Sequence, residues 1–126
     1  RVLYYPAGSM TATRVYGQQG SFSTNIDDKG GISATSLVHP FGVALDRGGN
    51  LYITDPGNGR ILYYPAGSTT ATRVYGQEGS FSKNVVNNGG VSATSFFSPL
   101  GIALDSSGNL YTADNGNNRA LVFPHT

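Results

Sequence analysis

The chain has 126 residues, of which 38% are hydrophobic, 12% are charged and 18 are glycine, and its formal net charge is +1. This weakly charged, turn-rich composition is typical of an all-β protein, and the scattered arginines form no basic stripe that would favour nucleic acid as a partner. No apolar run approaches the roughly eighteen residues of a membrane span, so we expect no membrane insertion. The chain has no cysteine, which leaves the compartment open, with an extracellular or periplasmic location favoured.

A 59-residue period organises the chain. Arg1, Arg60 and Arg119 begin three copies of one sequence, residues 39–60 recur as 98–119, and the chain holds two periods and a short third start. Self-similarity at a fixed spacing is typical of repeat architectures, in which neighbouring units cover each other's apolar faces. Because the sequence opens on arginine and not on methionine, we expect a processed chain or a piece of a longer one.

The unit at residues 42–75 predicts four strands in chain order. Residues 42–46 are a short apolar run closed by a turn signal, typical of an innermost strand buried on both faces. Two further strands are predicted at 51–54 and 61–64. Residues 71–75 alternate small or polar with larger side chains, as expected of a partly solvated outer strand. The unit therefore reads as a four-stranded antiparallel meander.

Turn signals separate these strands. Asp46 and its counterpart Asp105 follow the innermost strand, and we expect their carboxylates to accept backbone N–H groups at the start of a hairpin connection. Residues 76–98 are rich in Gly, Ser and Asn and predict a long crossover to the next unit, held down by Phe81 and the Phe96–Phe97 pair.

Four antiparallel strands per unit, repeated in tandem with a crossover, are typical of a β-propeller blade. A two-unit sandwich is the alternative, but a sandwich rarely keeps two copies so alike. We therefore predict an all-β fold, a β-propeller with about two four-stranded blades per chain. Residues 1–18 are predicted as the second half of a blade, 41–75 as a complete blade, and 100–124 as the first three strands of a further blade.

The repeated pattern resembles a known family. Pro-x-Gly-[Val/Ile]-Ala-Leu-Asp-x-x-Gly-Asn-Leu-Tyr-x-x-Asp-x-Gly-Asn-x-Arg, at 40–60 and 99–119, is similar to the NHL repeat, and Gly-Gly-[Ile/Val]-Ser-Ala-Thr-Ser at 30–36 and 89–95 is similar to the lead-in of bacterial members. The resemblance implies a propeller, commonly six-bladed, that usually serves as a binding scaffold and in a minority of members acts as a lyase or hydrolase. The 59-residue period is longer than the family's usual repeat, and two repeats are too few to close a ring.

No residue cluster predicts catalysis, a cofactor or a metal. His39 is replaced by Ser98 in the second copy, and a zinc site needs about three or four protein ligands, so we interpret His39 as a loop residue. The Asp27–Asp28 pair has no acidic counterpart, and we expect it to lie in a solvated loop. The turns also lack the alternating carboxylates and closing glutamate of a calcium loop.

Six side chains of the repeated Asp-x-Gly-Asn-x-Arg turn are the candidates for a ligand or partner rim: Asp55, Asn58, Arg60, Asp114, Asn117 and Arg119. In a structural interpretation they satisfy turn backbone groups, with the arginine spanning the corner to a carboxylate. In a functional interpretation the loops form a polar ring on one rim, since binding residues gather on loops of rigid scaffolds. The repeated tyrosines at 4, 5, 16, 63, 64 and 75 also have two interpretations: they pack between blades, or they form an aromatic binding surface.

We therefore expect a non-enzymatic propeller scaffold for binding or self-assembly. Two alternatives remain: part of a propeller lyase or hydrolase whose site lies in blades outside this chain, and a lectin-like module for a protein, peptide or glycan. Complementary unpaired ends predict head-to-tail contact between copies, with a six-bladed trimer favoured and an open filament possible. Residues 119–124 repeat the strand that 1–6 already supply, so two segments compete for one place unless a longer array holds them.

Overall fold

The computed structural model of the protein describes residues 1–125, which form nine strands in three antiparallel sheets. Apart from the strands, this part of the chain contains four three-residue 3-10 turns and no α-helix. None of its helical segments is long and apolar enough to cross a membrane. The all-β, propeller-like fold class predicted from the sequence is confirmed.

The three sheets contain two, four and three strands. The first sheet is β1 (Val2–Tyr4) and β2 (Arg14–Tyr16). The second sheet is β3 (Val43–Leu45), β4 (Leu51–Asp55), β5 (Arg60–Tyr64) and β6 (Arg73–Tyr75), paired in that order. The third sheet is β7 (Pro99–Leu104), β8 (Leu110–Asp114) and β9 (Arg119–Phe123). Residues 17–39, the first crossover, join the first sheet to the second, and residues 76–98, the second crossover, join the second sheet to the third.

Strand register shows how the three sheets correspond. Val2 faces Tyr16 across β1 and β2, as Ile61 faces Tyr75 across β5 and β6, 59 residues later. In the same way, the β8 and β9 pairing repeats the β4 and β5 pairing residue by residue. The first sheet therefore corresponds to the outer two strands of a blade, and the third sheet to its inner three.

Several strand boundaries differ from the predicted ones. β3 is one residue shorter at each end, β4 runs on to Asp55, β5 begins at Arg60, and β6 begins at Arg73 and not at residue 71. The reason for the late start of β6 lies in Ala71, which is buried and donates its N–H to the Ala34 carbonyl of the first crossover at 3.0 Å. That hydrogen bond takes the backbone of Ala71 out of the sheet ladder.

Alternate residues of β4 point into two separate cores. Leu51 and Ile53 lie in a first core between the first and second sheets, where the Tyr16 and Tyr64 rings meet edge to face with centroids 5.1 Å apart. Tyr52 lies in a second core between the second and third sheets. The central strands of the second sheet, β4 and β5, are thus covered on both faces by its neighbours, as in a row of propeller blades.

The innermost strand is not buried on both faces, so that prediction was wrong. Val43 and Leu45 of β3 are exposed, whereas their counterparts Ile102 and Leu104 in β7 pack against the second core. The difference follows from the first sheet, which contains no inner strands within residues 1–125 and so leaves this face of β3 uncovered.

The two adjacent phenylalanines of the second crossover hold it at different places. Phe96 is buried in the second core, and Phe81 packs partly against the first core, as predicted. The Phe97 side chain is 44% exposed and lies outside both cores, but its ring packs against the turn at Gly116, where an added Cβ would lie 2.3 Å from Phe97 Cγ. The Phe97 backbone N–H also donates to Asp114 Oδ1 at 2.8 Å, so side chain and backbone both hold the crossover to the turn.

Candidate functional site

The turn after β4 brings an aspartate and an arginine face to face. Pro56 to Asn58 form a single 3-10 turn, and Gly59 adopts a left-handed conformation with φ of 59° before β5 begins. Glycine takes this conformation without steric cost. The tight turn makes Asp55 and Arg60 direct partners across the two strands.

The Asp55 carboxylate is fully buried and fully used. Its Oδ2 accepts hydrogen bonds from Arg60 Nε at 2.8 Å and Asn58 Nδ2 at 2.9 Å, and its Oδ1 accepts the Val38 N–H at 2.8 Å. The side chains of Asp55 and Arg60 are both 0% exposed. Burial raises the pKa of Asp55, while Arg60 and the hydrogen bonds from Asn58 and Val38 oppose that rise.

Arg60 uses its remaining nitrogens to reach both crossovers. Nη2 donates to the Ser36 carbonyl at 2.9 Å, in the first crossover, and Nη1 donates to the Phe81 carbonyl at 2.8 Å, in the second. The structural interpretation of the turn is thereby corrected in one respect. The arginine spans the corner to Asp55 as predicted, but the cluster also fastens two long loops to the blade.

The second copy of the cluster is open on one side. Arg119 Nε lies 2.9 Å from Asp114 Oδ2, and Arg119 Nη2 donates to the Ser95 carbonyl at 2.9 Å. Within residues 1–125 no following crossover exists to accept a bond from Nη1, as Phe81 does from Arg60. The Arg119 side chain is accordingly 24% exposed, although Asp114 remains at 0%.

The six candidate side chains therefore do not form an exposed polar ring. Four are buried, Asn117 and Arg119 are only partly exposed, and all six take part in hydrogen bonds within the chain: Asp55, Asn58, Arg60, Asp114, Asn117 and Arg119. The physical reason is that the turns lie beneath the crossovers and not at a free rim. The geometry is that of a structural fastening.

The two histidines lie apart from this cluster. His39 ends the first crossover with φ of 52° and an exposed side chain, and His125 is exposed beyond β9. Across the part of the chain that the structure describes, no three His, Asp or Glu side chains are grouped so that they could share a metal ion.

The Asp27–Asp28 pair is split between two environments. Asp27 is exposed, as predicted for a solvated loop. Asp28 is not solvated in that way: its Oδ1 accepts bonds from Ser36 Oγ and Asn58 Nδ2, both at 2.8 Å. In the second copy Asn87 occupies this place and bonds Asn117. The residue therefore links the crossover to the turn cluster.

The repeated tyrosines mainly pack between sheets. Besides the Tyr16–Tyr64 contact, Tyr75 meets Phe123 of the third sheet edge to face at 5.2 Å. Tyr4 is exposed, with the Arg14 guanidinium 4.4 Å from its ring centroid. The packing interpretation fits the buried members of the set.

One important residue was missed at the level of sequence. Gln77 is buried, and its Nε2 donates to the Asn58 and Gly59 carbonyls at 3.0 and 3.2 Å, and to the Val85 carbonyl at 2.9 Å. It thereby joins the turn to the crossover that follows it. The available signal was the Gly-Gln pair at 76–77, repeated from 17–18, but much of the loop around it is repeated as well, so the repetition does not single out Gln77.

Gln18, the counterpart of Gln77, borders an open groove. Its Nε2 donates to the Ile26 carbonyl at 2.7 Å, but the described residues supply no turn above it. A groove of about 470 Å³ lies here instead, lined by Gln18, Phe22, Leu37 and His39 among others. In the second crossover the corresponding space is taken by the turn at Gly59.

Comparison with known proteins supports the recognition of the repeat. Residues 96–123, which span the end of the second crossover and the whole third sheet, match the family model of the NHL repeat. No curated protein matches the chain. The chain therefore contains an NHL repeat at residues 96–123, folded as the inner strands of a β-propeller blade.

Proposed function

We propose that this protein is a non-enzymatic β-propeller module that assembles head to tail with further copies of itself, three chains completing six blades. The observation that carries the proposal concerns the contacts that join the second and third sheets. The third sheet at one end of the chain carries the groups of one side of these contacts, and the first crossover and β3 towards the other end carry the groups of the opposite side. A ring built this way uses one junction throughout. Heterologous contacts of this kind close when their rotation permits and otherwise extend as filaments.

The polar half-contacts are complementary. Arg60 donates to the carbonyl of Phe81 in the following crossover, whereas its counterpart Arg119 has no following crossover within residues 1–125. In a second copy, the carbonyl equivalent to that of Phe81 belongs to Phe22, 59 residues earlier in the sequence. In the other direction, Gln18 of the second copy would donate to the turn that ends at Asn118. Asn118 has the same left-handed conformation as its counterpart Gly59, with φ of 54° and 59°. Gly59 is buried beneath the second crossover, whereas Asn118 is exposed.

The apolar half-contacts match as well. Tyr52 of β4 is 3% exposed because the third sheet covers it, whereas its counterpart Tyr111 in β8 is 42% exposed. At the other end, Val43 and Leu45 of β3 are exposed. Their counterparts in β7, Ile102 and Leu104, pack against the core that contains Tyr52. Docking the third sheet of one copy on β3 of the next would remove both exposed apolar faces from water, which favours association.

The absence of enzymatic activity is proposed from the repetition itself. The charged groups of the turns, Asp55 with Arg60 and Asp114 with Arg119, occur in both copies and are hydrogen-bonded to the crossovers. A catalytic site requires one place that differs from the others in its acid, base or metal ligand. Metal analysis of the purified protein tests this part, since zinc or calcium bound in stoichiometric amount would contradict it.

Light scattering coupled to size-exclusion chromatography tests the assembly. We expect about three times the 13.2 kDa of one chain, and a well-folded species at the mass of one chain would overturn the proposal. Mass that grows with concentration would indicate the filament instead of the ring. Tyr111→Lys should lower the mass to that of one chain, whereas Val86→Lys, at an exposed site in the second crossover, should leave it unchanged.

A further inference from the structure

We infer that, at each junction, β9 of one copy displaces β1 of the next and pairs with its β2. The shared blade then consists of β7, β8 and β9 from one chain and β2 from another, and the first strand of every chain is released. This inference rests on the head-to-tail assembly proposed above. It specifies that β9, and not β1, occupies the place beside β2 at the junction.

β1 and β9 are copies of the same blade strand. Both correspond to β5, which pairs with β4 on one edge and β6 on the other. β9 pairs with β8 and, within residues 1–125, has no strand on its outer edge; β1 pairs with β2 and has none on its inner edge. The free edge of β9 is therefore the edge that β2 covers in a complete blade.

The register of the new pair follows from the second sheet. Ile61 faces Tyr75, and Tyr63 faces Arg73, across β5 and β6. Moved by one repeat, Val122 of one copy would face Arg14 of the next, and Leu121 would face Val15. The free backbone edge of β9, and not the exposure of any one side chain, is what this new pair would cover.

β9 is held more firmly than β1. β9 has a five-residue ladder with β8, its Arg119 is paired with Asp114, and the Phe123 ring lies 5.2 Å from the ring of Tyr75. β1 has a three-residue ladder with β2, and Tyr4 on it is exposed. Losing β1 from its place therefore breaks fewer contacts than losing β9 would.

β1 also blocks the polar contact that assembly needs. Arg1 donates to the Phe22 carbonyl from within the same chain. That carbonyl is the counterpart of the Phe81 oxygen that accepts from Arg60, so it is the acceptor expected for Arg119 of a neighbouring copy. Arg1 and the partner's arginine cannot both occupy it, and displacement of β1 resolves the conflict.

A reversible lock tests the displacement. Tyr4→Cys with Arg14→Cys places two thiols on opposed residues of β1 and β2, where antiparallel Cα separations suit a disulfide. The chain has no other cysteine. We expect the oxidised variant to have the mass of one chain and the reduced variant to regain the three-chain mass, a threefold change measured by light scattering.

The matched control locks a pair that assembly leaves intact. Tyr63→Cys with Arg73→Cys is the same pair one repeat later, inside the second sheet. Each site carries the same arginine-over-tyrosine contact, at 4.4 Å for Arg14 and 4.5 Å for Arg73, so both variants lose an equivalent interaction. The control should assemble whether oxidised or reduced.

The outcomes separate the inference from the proposal beneath it. If the oxidised Tyr4→Cys, Arg14→Cys variant assembles like the control, the displacement is wrong and the assembly stands. If the unaltered protein never exceeds the mass of one chain, both are wrong. A direct readout is a mixture of Arg14→Cys and Val122→Cys single variants, which should cross-link between chains; assembled protein without that cross-link would also overturn the displacement.

Discussion

Asp55 and Arg60 form an ion pair, with Nε and Oδ2 2.8 Å apart, in which neither side chain is exposed. The pair connects three parts of the chain, because Asp55 also accepts from Val38 in the first crossover and Arg60 also donates to Phe81 in the second. A buried pair gains little over an apolar replacement of both partners, but removing one partner leaves an unpaired buried charge. The blade and its two loops are therefore expected to unfold together when this pair is broken.

Arg60→Met should lower the free energy of unfolding by about 3–5 kcal/mol, because Asp55 then stays buried without its cation. Arg119→Met is the matched control at the open copy of the pair, where the arginine is 24% exposed and water can reach the site. Its loss should be clearly smaller. Urea unfolding at concentrations too low for association measures both, and equal losses would contradict the difference in burial.

Gly57→Ala should destabilise the fold by about 1–3 kcal/mol, the usual range for an overpacked site. A Cβ at this position would lie 2.5 Å from Val38 Cγ1 and 2.8 Å from the Val38 carbonyl oxygen, so the crossover backbone has to move. Gly101→Ala is the control, since its Cβ would lie 3.8 Å from Ala113. Thermal melts at concentrations too low for association should show a loss for the first variant and no loss for the second, because assembly itself would raise the melting temperature.

The same Gly101→Ala variant should weaken assembly. Gly42, the counterpart of Gly101, lies at the complete junction, where an added Cβ would be 2.8 Å from the Leu100 carbonyl oxygen of the neighbouring sheet. In the proposed ring the Phe41 carbonyl of the next copy takes that place. We expect Gly101→Ala to fold normally and to show a lower mass by light scattering than the unaltered chain at equal concentration. Unchanged mass would contradict the proposed docking geometry.

The local sequence pattern was sufficient to predict the strands and turns of the blade, but not the long-range hydrogen bonds that hold the crossovers to it. Strand order and turn positions follow from alternation and from glycine and proline, which act over a few residues. The bond that Asp55 accepts from the Val38 N–H and the bond that Arg60 donates to the Ser36 carbonyl span 17 and 24 residues. A polar side chain does not indicate which distant backbone group it will meet. The role of Gln77 was not predicted for the same reason, because it is a polar residue in a polar loop.

Burial also depends on neighbours that a single unit does not describe. The apolar run around Val43 correctly predicted a strand, but its exposure depends on whether inner strands of a preceding blade are present. Phe97 follows a buried Phe96, and only the direction of the backbone decides that its side chain lies on the turn at Gly116, 44% exposed, and not in the core. Such features come from the arrangement of repeats, not from the sequence of one repeat.

Tyr64→Phe should leave stability unchanged or raise it by up to about 1 kcal/mol. Tyr64 is fully buried, its hydroxyl has no hydrogen-bond partner within residues 1–125, and burial raises the pKa of that hydroxyl. Removing a buried polar group that bonds nothing removes a desolvation cost. The third sheet already carries Phe123 at the equivalent place. Tyr5→Phe, at an exposed counterpart, is the control for thermal melts, and a lower melting temperature for Tyr64→Phe would indicate a partner for its hydroxyl.

The last prediction concerns pH and the hairpin turn after β7. The Asn109 side chain donates to Asp105 Oδ2 at 2.9 Å, and the Asn109 and Ser107 N–H groups donate to Oδ1 at 2.9 and 3.0 Å. These bonds, led by that from the Asn109 side chain, hold the pKa of Asp105 below its usual value. The folded state therefore binds the proton less readily than the unfolded state does.

The sign of the effect follows from that difference. The stability that Asp105 contributes is fully present above the ordinary aspartate pKa of about 3.9 and is lost as the pH falls through the lower folded value. We expect Asp105→Asn to have a lower melting temperature than the unaltered chain at neutral pH, and the two melting temperatures to converge as the pH falls below about 3.9 and through the folded pKa. Asp27→Asn, which removes an exposed carboxylate from the first crossover, controls for the change in net charge. A gap between Asp105→Asn and the unaltered chain that stays constant over the same fall in pH would mean that the ionised carboxylate does not hold the turn.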